Sequence, residues 1–182
     1  QAELELFEPA PNELPELLLN PDVHIWVNLN QNDPKSHDIL SETFKIRPLL
    51  IEDACADATT PKAELQDDYL YFIIHGLSDA HPQDDGEIKT ADLDFFLGER
   101  WVITHYRHPF DALKSALHAV KTDPTLLHQG PAHVAHRVLD IIVDEFLPVM
   151  ERLDEEIDAL EERVVRKPGP ETLERIFSLR HS

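Results

Sequence analysis

The hydrophobic period of the chain changes near Pro109 from mainly strand-like to helical, and this change limits the folds that the sequence can adopt. Before Pro109, four segments rich in β-branched and aromatic residues predict strands, because such side chains suit a pleated, half-buried surface. These segments are residues 23–29, 67–77, 92–98 and 100–106. After Pro109 the apolar residues recur at helical spacing, and a much longer helix is predicted from about Pro131. The pattern predicts an α+β fold in which a strand meander precedes a helical segment.

Local turn and helix signals refine this outline. Short helices are predicted after Pro34 and after Pro48, because proline fits the first turn of a helix. Gly98-Glu99 lies between the last two predicted strands and has the Gly-X pattern of a tight hairpin turn. The first two strands are therefore joined through helices, and the last two form a hairpin.

The long helix carries a heptad seam, which predicts packing against a partner helix. Pro148 is expected to bend the helix locally. Lys-Pro-Gly-Pro at 167–170 predicts its end, and the following residues predict the start of an antiparallel second helix. This second pattern has no stop signal before Ser182, so we expect the chain to be a fragment. The seam consists of Phe146, Met150, Leu153, Ile157, Leu160 and Val164.

The charge balance limits the partners of the chain. There are 36 acidic and 16 basic residues, which gives a net charge of −20 with neutral histidines. Such a field repels phosphate backbones and anionic lipid surfaces, so nucleic acid is excluded as a natural partner and cations are favoured. The single cysteine, Cys55, cannot form an internal disulfide.

Adjacent carboxylates follow an apolar stretch in the segment LLIEDACADATTPKAEL, residues 49–65. Glu52 and Asp53 are followed by Asp57, one turn after Asp53, so carboxylates could gather on one face of a short helix. Clustered like charges destabilise a fold that is already strongly acidic, unless a cation shares the site. The segment is therefore a candidate divalent-cation site, and the alternative is a solvated acidic helix end.

A second candidate metal site lies at the start of the long helix. His133, His136, Asp140 and Asp144 occupy positions i, i+3, i+7 and i+11, which places them along one helical stripe. Imidazole and carboxylate ligands suit zinc or a similar transition metal. The alternative is that they are ordinary polar residues on the surface and histidines at the rim of the core.

Catalytic motifs do not accompany these acidic and histidine patterns. The sequence contains no Gly-rich phosphate loop and no Gly-x-Ser-x-Gly motif, so the chain is not predicted to be an enzyme. The distant alternative is a metal-dependent hydrolase that uses some of the 11 histidines.

Six blocks of the chain, in order, resemble the cytoplasmic part of the CorA family of divalent-cation transporters. The blocks are IWVNL, RPLLIEDA, PKAEL, DDYLYFIIHGL, DFFLGERWVITHY and LDIIVDEFLPVMERLDEEIDALEERVV. The resemblance implies a mixed sheet between helices (α/β/α) in residues 1–130, and a helical hairpin with the start of a stalk helix in residues 131–182. It also implies two membrane spans beyond Ser182, and a cytoplasmic location for this portion of a cell inner membrane protein.

The same resemblance implies roles for three carboxylates. In CorA-like homopentamers the acidic pair and the first Asp of the D-x-x-V-D block lie near a neighbouring stalk, where divalent ions hold the closed state. These positions are Glu52, Asp53 and Asp140 here. The implied ion is Mg²⁺, with Co²⁺ or Zn²⁺ as alternatives. Thr60 and Arg47 depart from the arginine and histidine that are common in the family, so the zinc-handling branch stays open as an interpretation.

Overall fold

The computed structural model describes residues 7–56, 60–78 and 88–166, together with residues 169 and 176. The five strands are β1 (Ile25–Asn30), β2 (Lys62–Leu65), β3 (Tyr69–Leu77), β4 (Thr90–Gly98) and β5 (Trp101–Tyr106). The helices are α1 (Leu14–Leu19), α2 (Ser36–Asp38), α3 (Pro48–Cys55), α4 (Asp111–Thr122), α5 (Thr125–His128) and α6 (Pro131–Arg166). A 3₁₀ turn (Pro11–Glu13) precedes α1, and a π-helical turn (Ile39–Thr43) extends α2.

The strands form one mixed sheet in the order β1-β5-β4-β3-β2. Strands β2 to β5 pair antiparallel with their neighbours, whereas β1 pairs parallel with β5, with Ile25 opposite Trp101. Strand β5 is buried on both faces, which explains its nearly continuous apolar sequence. The predicted mixed sheet between helices is confirmed.

Two apolar clusters cover the two faces of the sheet. We call the face beneath α1, α2 and α3 the first face; its cluster includes Leu40, Leu50 and Ile103. The second face lies beneath α4 and α6, and its cluster includes Phe95 and Val138. Alternate residues of a strand point to opposite faces, so β1, β3, β4 and β5 each contribute to both clusters. Neither cluster includes a residue of β2.

Helix α6 packs on the second face through its first half, and Val134, Val138 and Ile142 are buried there. The helix continues through Pro148. Of the predicted heptad seam, Leu160 is buried, but Met150 and Ile157 are 54% and 45% exposed. Phe146 and Leu153 are half-buried, and Val164 is 45% exposed. The predicted second helix of the hairpin lies outside the described residues, so its packing against this seam stays a prediction.

One local prediction needs correction, and three short elements were not predicted. The hairpin loop between β4 and β5 is Glu99-Arg100, one residue later than predicted, because Gly98 still belongs to β4. A Cβ atom on Gly98 would lie 2.4 Å from the ring of Trp101, so this glycine leaves room for an indole rather than forming the turn. The short elements α1, β2 and α5 were not predicted.

Candidate metal centre

Helix α3 positions the acidic pair. Pro48 begins the helix, and Leu50, Ile51 and Ala54 are buried against the first face. Glu52 points to solvent, while Asp53 is half-buried at the edge of this packing surface. The helix therefore presents its two adjacent carboxylates in different environments.

Asp53 is paired with an ammonium group of its own chain. Lys62 Nζ donates hydrogen bonds to Asp53 Oδ2 at 2.6 Å and to Glu64 Oε1 at 2.7 Å. The hydrogen bond to Asp53 is the largest cause of the raised pKa of Lys62, and the hydrogen bond to Glu64 is the second. The same nitrogen lies 5.6 Å from the centroid of the Tyr71 ring. Lys62 is therefore a charged partner shared by two carboxylates and supported by an aromatic face.

A buried polar group lies on the same face of the sheet. Tyr71 donates a hydrogen bond of 2.8 Å to Asp94 Oδ1, and Asp94 is only 3% exposed. His105 Nδ1 lies 3.6 Å from Asp94 Oδ2, too far for a normal hydrogen bond, and has no other partner within the described residues. Burial raises the pKa of Asp94, and the contacts with His105 and Tyr71 oppose that increase. Burial, with the charge of Asp94, raises the pKa of Tyr71.

The carboxyl end of α3 is tied to the sheet. Arg107 Nη2 and Gln31 Nε2 both donate to the Cys55 carbonyl, at 3.0 and 3.2 Å. A guanidinium at a helix C-terminus also offsets the partial negative charge there. Burial is the main cause of the raised pKa of Cys55. These bonds fix the position of α3, and with it that of Asp53.

The other predicted ligands lie elsewhere on the molecule. His133, His136, Asp140 and Asp144 are all exposed on α6, as a common helical stripe requires. Asp140 Oδ2 accepts a hydrogen bond of 2.9 Å from Arg137 Nη1. Because α6 covers the second face and α3 the first, one chain does not bring Asp140 to the acidic pair.

Within a single chain the described residues form no group of three or more His, Cys, Asp or Glu side chains that could hold a metal ion. Asp57, the third carboxylate of the acidic segment, lies outside those residues. A site that uses Glu52, Asp53 and Asp140 together would therefore need two chains, and the three ligands stay a prediction.

The side chains that surround Asp53 were not predicted from the sequence. Lys62 and Glu64 face inward from β2, whereas Leu65 on the same strand is 82% exposed. This strand has only four residues, and its Lys, Ala and Glu are of types that are depleted in strands, so the segment did not resemble a strand. The available signal for Asp94 was an aspartate placed between Leu93 and Phe95 in β4.

None of the helices in the described part of the chain combines the length and apolar character that crossing a membrane requires. This finding concerns only residues that the structure describes.

Comparisons with known proteins identify the family to which the chain belongs. YfjQ of Bacillus subtilis (strain 168) is 26% identical over 155 residues, which cover 85% of this chain and 47% of the relative. The cobalt/magnesium transport protein CorA of Thermotoga maritima is 23% identical over 144 residues, covering 79% of this chain and 40% of the relative. The chain therefore spans less than half the length of these two relatives.

The solved structures agree with the fold. The soluble domain of CorA from Methanocaldococcus jannaschii superposes with a TM-score of 0.66 at 18% identity, over 86% of this chain and 61% of that one. The sequence model of the family described as CorA-like Mg2+ transporter protein matches residues 21–182. The chain belongs to the CorA-like family.

Proposed function

We propose that the chain is the cytoplasmic regulatory domain of a divalent-cation transporter and that Mg²⁺ is the ion it senses. The family match over residues 21–182 carries this proposal. The CorA relative from Thermotoga maritima is named as a cobalt and magnesium transport protein. We therefore propose transport, not catalysis, and a cell inner membrane location for the complete protein.

The proposed sensor is formed between subunits of a homopentamer. The exposed Glu52 and the half-buried Asp53 lie on the first face of the domain, and the exposed Asp140 lies beyond the second face. Neighbouring copies arranged in a ring can bring opposite faces together, so that the acidic pair of one subunit meets Asp140 of the next. This arrangement supports an intersubunit site.

An ion at this site would stabilise the closed state, because it binds the closed state more tightly than the open state. Carboxylates from two subunits share the cation when it is plentiful, and its charge removes their mutual repulsion. When the cation is scarce the bridge is lost, and the equilibrium shifts towards the open state. Mg²⁺ suits such a site because it keeps several waters and takes one or two protein carboxylates.

The test is a Mg²⁺ titration of the full-length protein, with protection from limited proteolysis as the readout. Asp53→Asn removes one charge from the proposed bridge, so the Mg²⁺ concentration for half-protection should rise by about tenfold. Asp111→Asn is a matched control, because Asp111 is also bonded to a lysine at 2.6 Å but lies on α4. An unchanged midpoint for Asp53→Asn would remove Asp53 from the site.

A parallel Zn²⁺ titration tests the zinc alternative. His133 and His136 are exposed on α6, where a transition metal could reach them. We expect the double variant His133→Ala/His136→Ala to leave protection by Mg²⁺ unchanged. Tight zinc binding that this variant abolishes would instead assign the chain to a zinc-handling role.

A further inference from the structure

Lys62 places a positive charge where a divalent ion would need to bind. Its Nζ atom contacts Asp53 Oδ2 at 2.6 Å, and Asp53 is the half-buried member of the acidic pair. A metal-bound carboxylate oxygen lies about 2.0–2.1 Å from Mg²⁺. While the hydrogen bond from Lys62 persists, an ion on either carboxylate oxygen of Asp53 would lie close to the ammonium and would be repelled by it.

The two carboxylates that hold Lys62 are attached to different parts of the fold. Glu64 lies on β2 two residues after Lys62, so both side chains project from the same face of one strand. Asp53 comes from α3. The bond between Lys62 and Glu64, at 2.7 Å, can therefore persist when Asp53 turns to another partner. Glu64 and the Tyr71 ring together provide a second position for the ammonium.

The orientation of β2 gives independent support. Charged residues face inward while Leu65 is 82% exposed, although the hydrophobic effect favours the opposite arrangement. Inward charges on an edge strand also protect a sheet from edge-to-edge pairing. Such protection requires a charge but not a lysine bonded to Asp53, so experiment can separate the two explanations.

We propose that Lys62 is an internal competitor for the divalent cation at Asp53, and that Glu64 holds the ammonium while the ion is bound. The proposal rests on the function proposed above and adds a regulatory residue to it. In the absence of the ion, Lys62 pairs with Asp53 and stabilises the unbridged state. The ammonium therefore lowers the affinity of the sensor, so that the site empties when the free ion concentration falls.

The test is Lys62→Met in the full-length protein, with the same Mg²⁺ titration and proteolysis readout. Loss of the competitor should lower the midpoint by roughly twofold to fivefold, the range expected for one partly exposed ion pair. Lys62→Arg keeps the charge and should leave the midpoint within about twofold of the parent value. Lys114→Met is the matched control, because Lys114 is bonded to Asp111 at 2.6 Å on α4, and it should not shift the midpoint.

The double variant Asp53→Asn/Lys62→Met separates competition from a structural role. If Lys62 acts through Asp53, the double variant should have the midpoint of Asp53→Asn alone, whereas independent structural effects would add. A raised midpoint for Lys62→Met would overturn the proposal, because it would show that the ammonium assists binding.

The outcomes also separate this inference from the proposed function. An unchanged midpoint for Lys62→Met, with a raised one for Asp53→Asn, would overturn the competitor role and leave the cation sensor intact. Unchanged midpoints for both variants would overturn the sensor at Asp53, and the competitor with it.

Discussion

The two faces of the sheet differ in the polar groups that they bury. The second face is almost entirely apolar, and its buried hydroxyl, Thr104, accepts from Trp26 Nε1 and donates to Asn28 Oδ1. The first face buries a carboxylate and an imidazole, Asp94 and His105, close to the paired Lys62 and Asp53. The comparison indicates that the second face mainly contributes stability. On the first face, buried charged groups lower the stability and lie next to the candidate site.

The largest effect is expected on the second face. Phe110 is 1% exposed and packs so closely against Gly76 that a Cβ atom there would lie 2.8 Å from the Phe110 ring. Phe110→Ala should lower the free energy of unfolding by about 3–5 kcal/mol, because it removes apolar contacts and leaves a cavity. Urea unfolding followed by circular dichroism measures this change. A loss below about 1 kcal/mol would contradict the assignment of stability to this face.

A smaller effect is expected on the first face from Tyr71→Phe. The variant keeps the ring but removes the hydroxyl that donates to Asp94, leaving a buried carboxylate with one partner fewer. We expect a loss of about 1–3 kcal/mol in the free energy of unfolding. Tyr106→Phe is the control, because Tyr106 is half-buried and no hydrogen bond of its hydroxyl is seen in the described part of the chain. Equal losses in both variants would show that the bond to Asp94 contributes nothing specific.

The smallest effect is a pH dependence that comes from Asp94. Burial raises the pKa of its carboxyl above the ordinary value of 3.8, so the native state holds the proton more tightly than the unfolded state. The resulting stability is complete below the ordinary pKa and is lost as the pH rises through the raised native pKa. Asp94→Asn should remove this decline, whose slope is at most about 1.4 kcal/mol per pH unit.

Urea unfolding of the parent chain and Asp94→Asn at several pH values measures the difference. The free energies should diverge in the window above pH 3.8. Parallel curves for the two proteins would mean that Asp94 titrates alike in the native and unfolded states. The buried carboxylate would then not account for a difference in stability between the two faces.

The sequence predicted those parts of the fold in which periodicity and burial agree. Strand β5 is buried on both faces and was evident as an apolar run, and α6 followed from its helical spacing. Strand β2 was missed because it has only four residues and its Lys, Ala and Glu have low strand propensity. Periodicity also cannot reveal that the charged residues of β2 face inward, because the buried face of a strand depends on its tertiary partners.

The candidate site was predictable only in part. The acidic pair was visible in the sequence, but the bond from Lys62 to Asp53 joins β2 to α3 and depends on their arrangement in space. The meeting of Asp53 and Asp140 depends further on a second chain. One chain carries these two residues on helices that cover opposite faces of the sheet.

The most direct test is anomalous diffraction from crystals of the full-length protein grown with Mn²⁺ in place of Mg²⁺. We predict an anomalous peak bonded to Asp53 and bridged to Asp140 of a neighbouring subunit, with Lys62 Nζ moved away from Asp53 and still bonded to Glu64. A crystal saturated with Mn²⁺ that shows no anomalous peak at Asp53, and that keeps the 2.6 Å contact between Lys62 and Asp53, would contradict the proposed site.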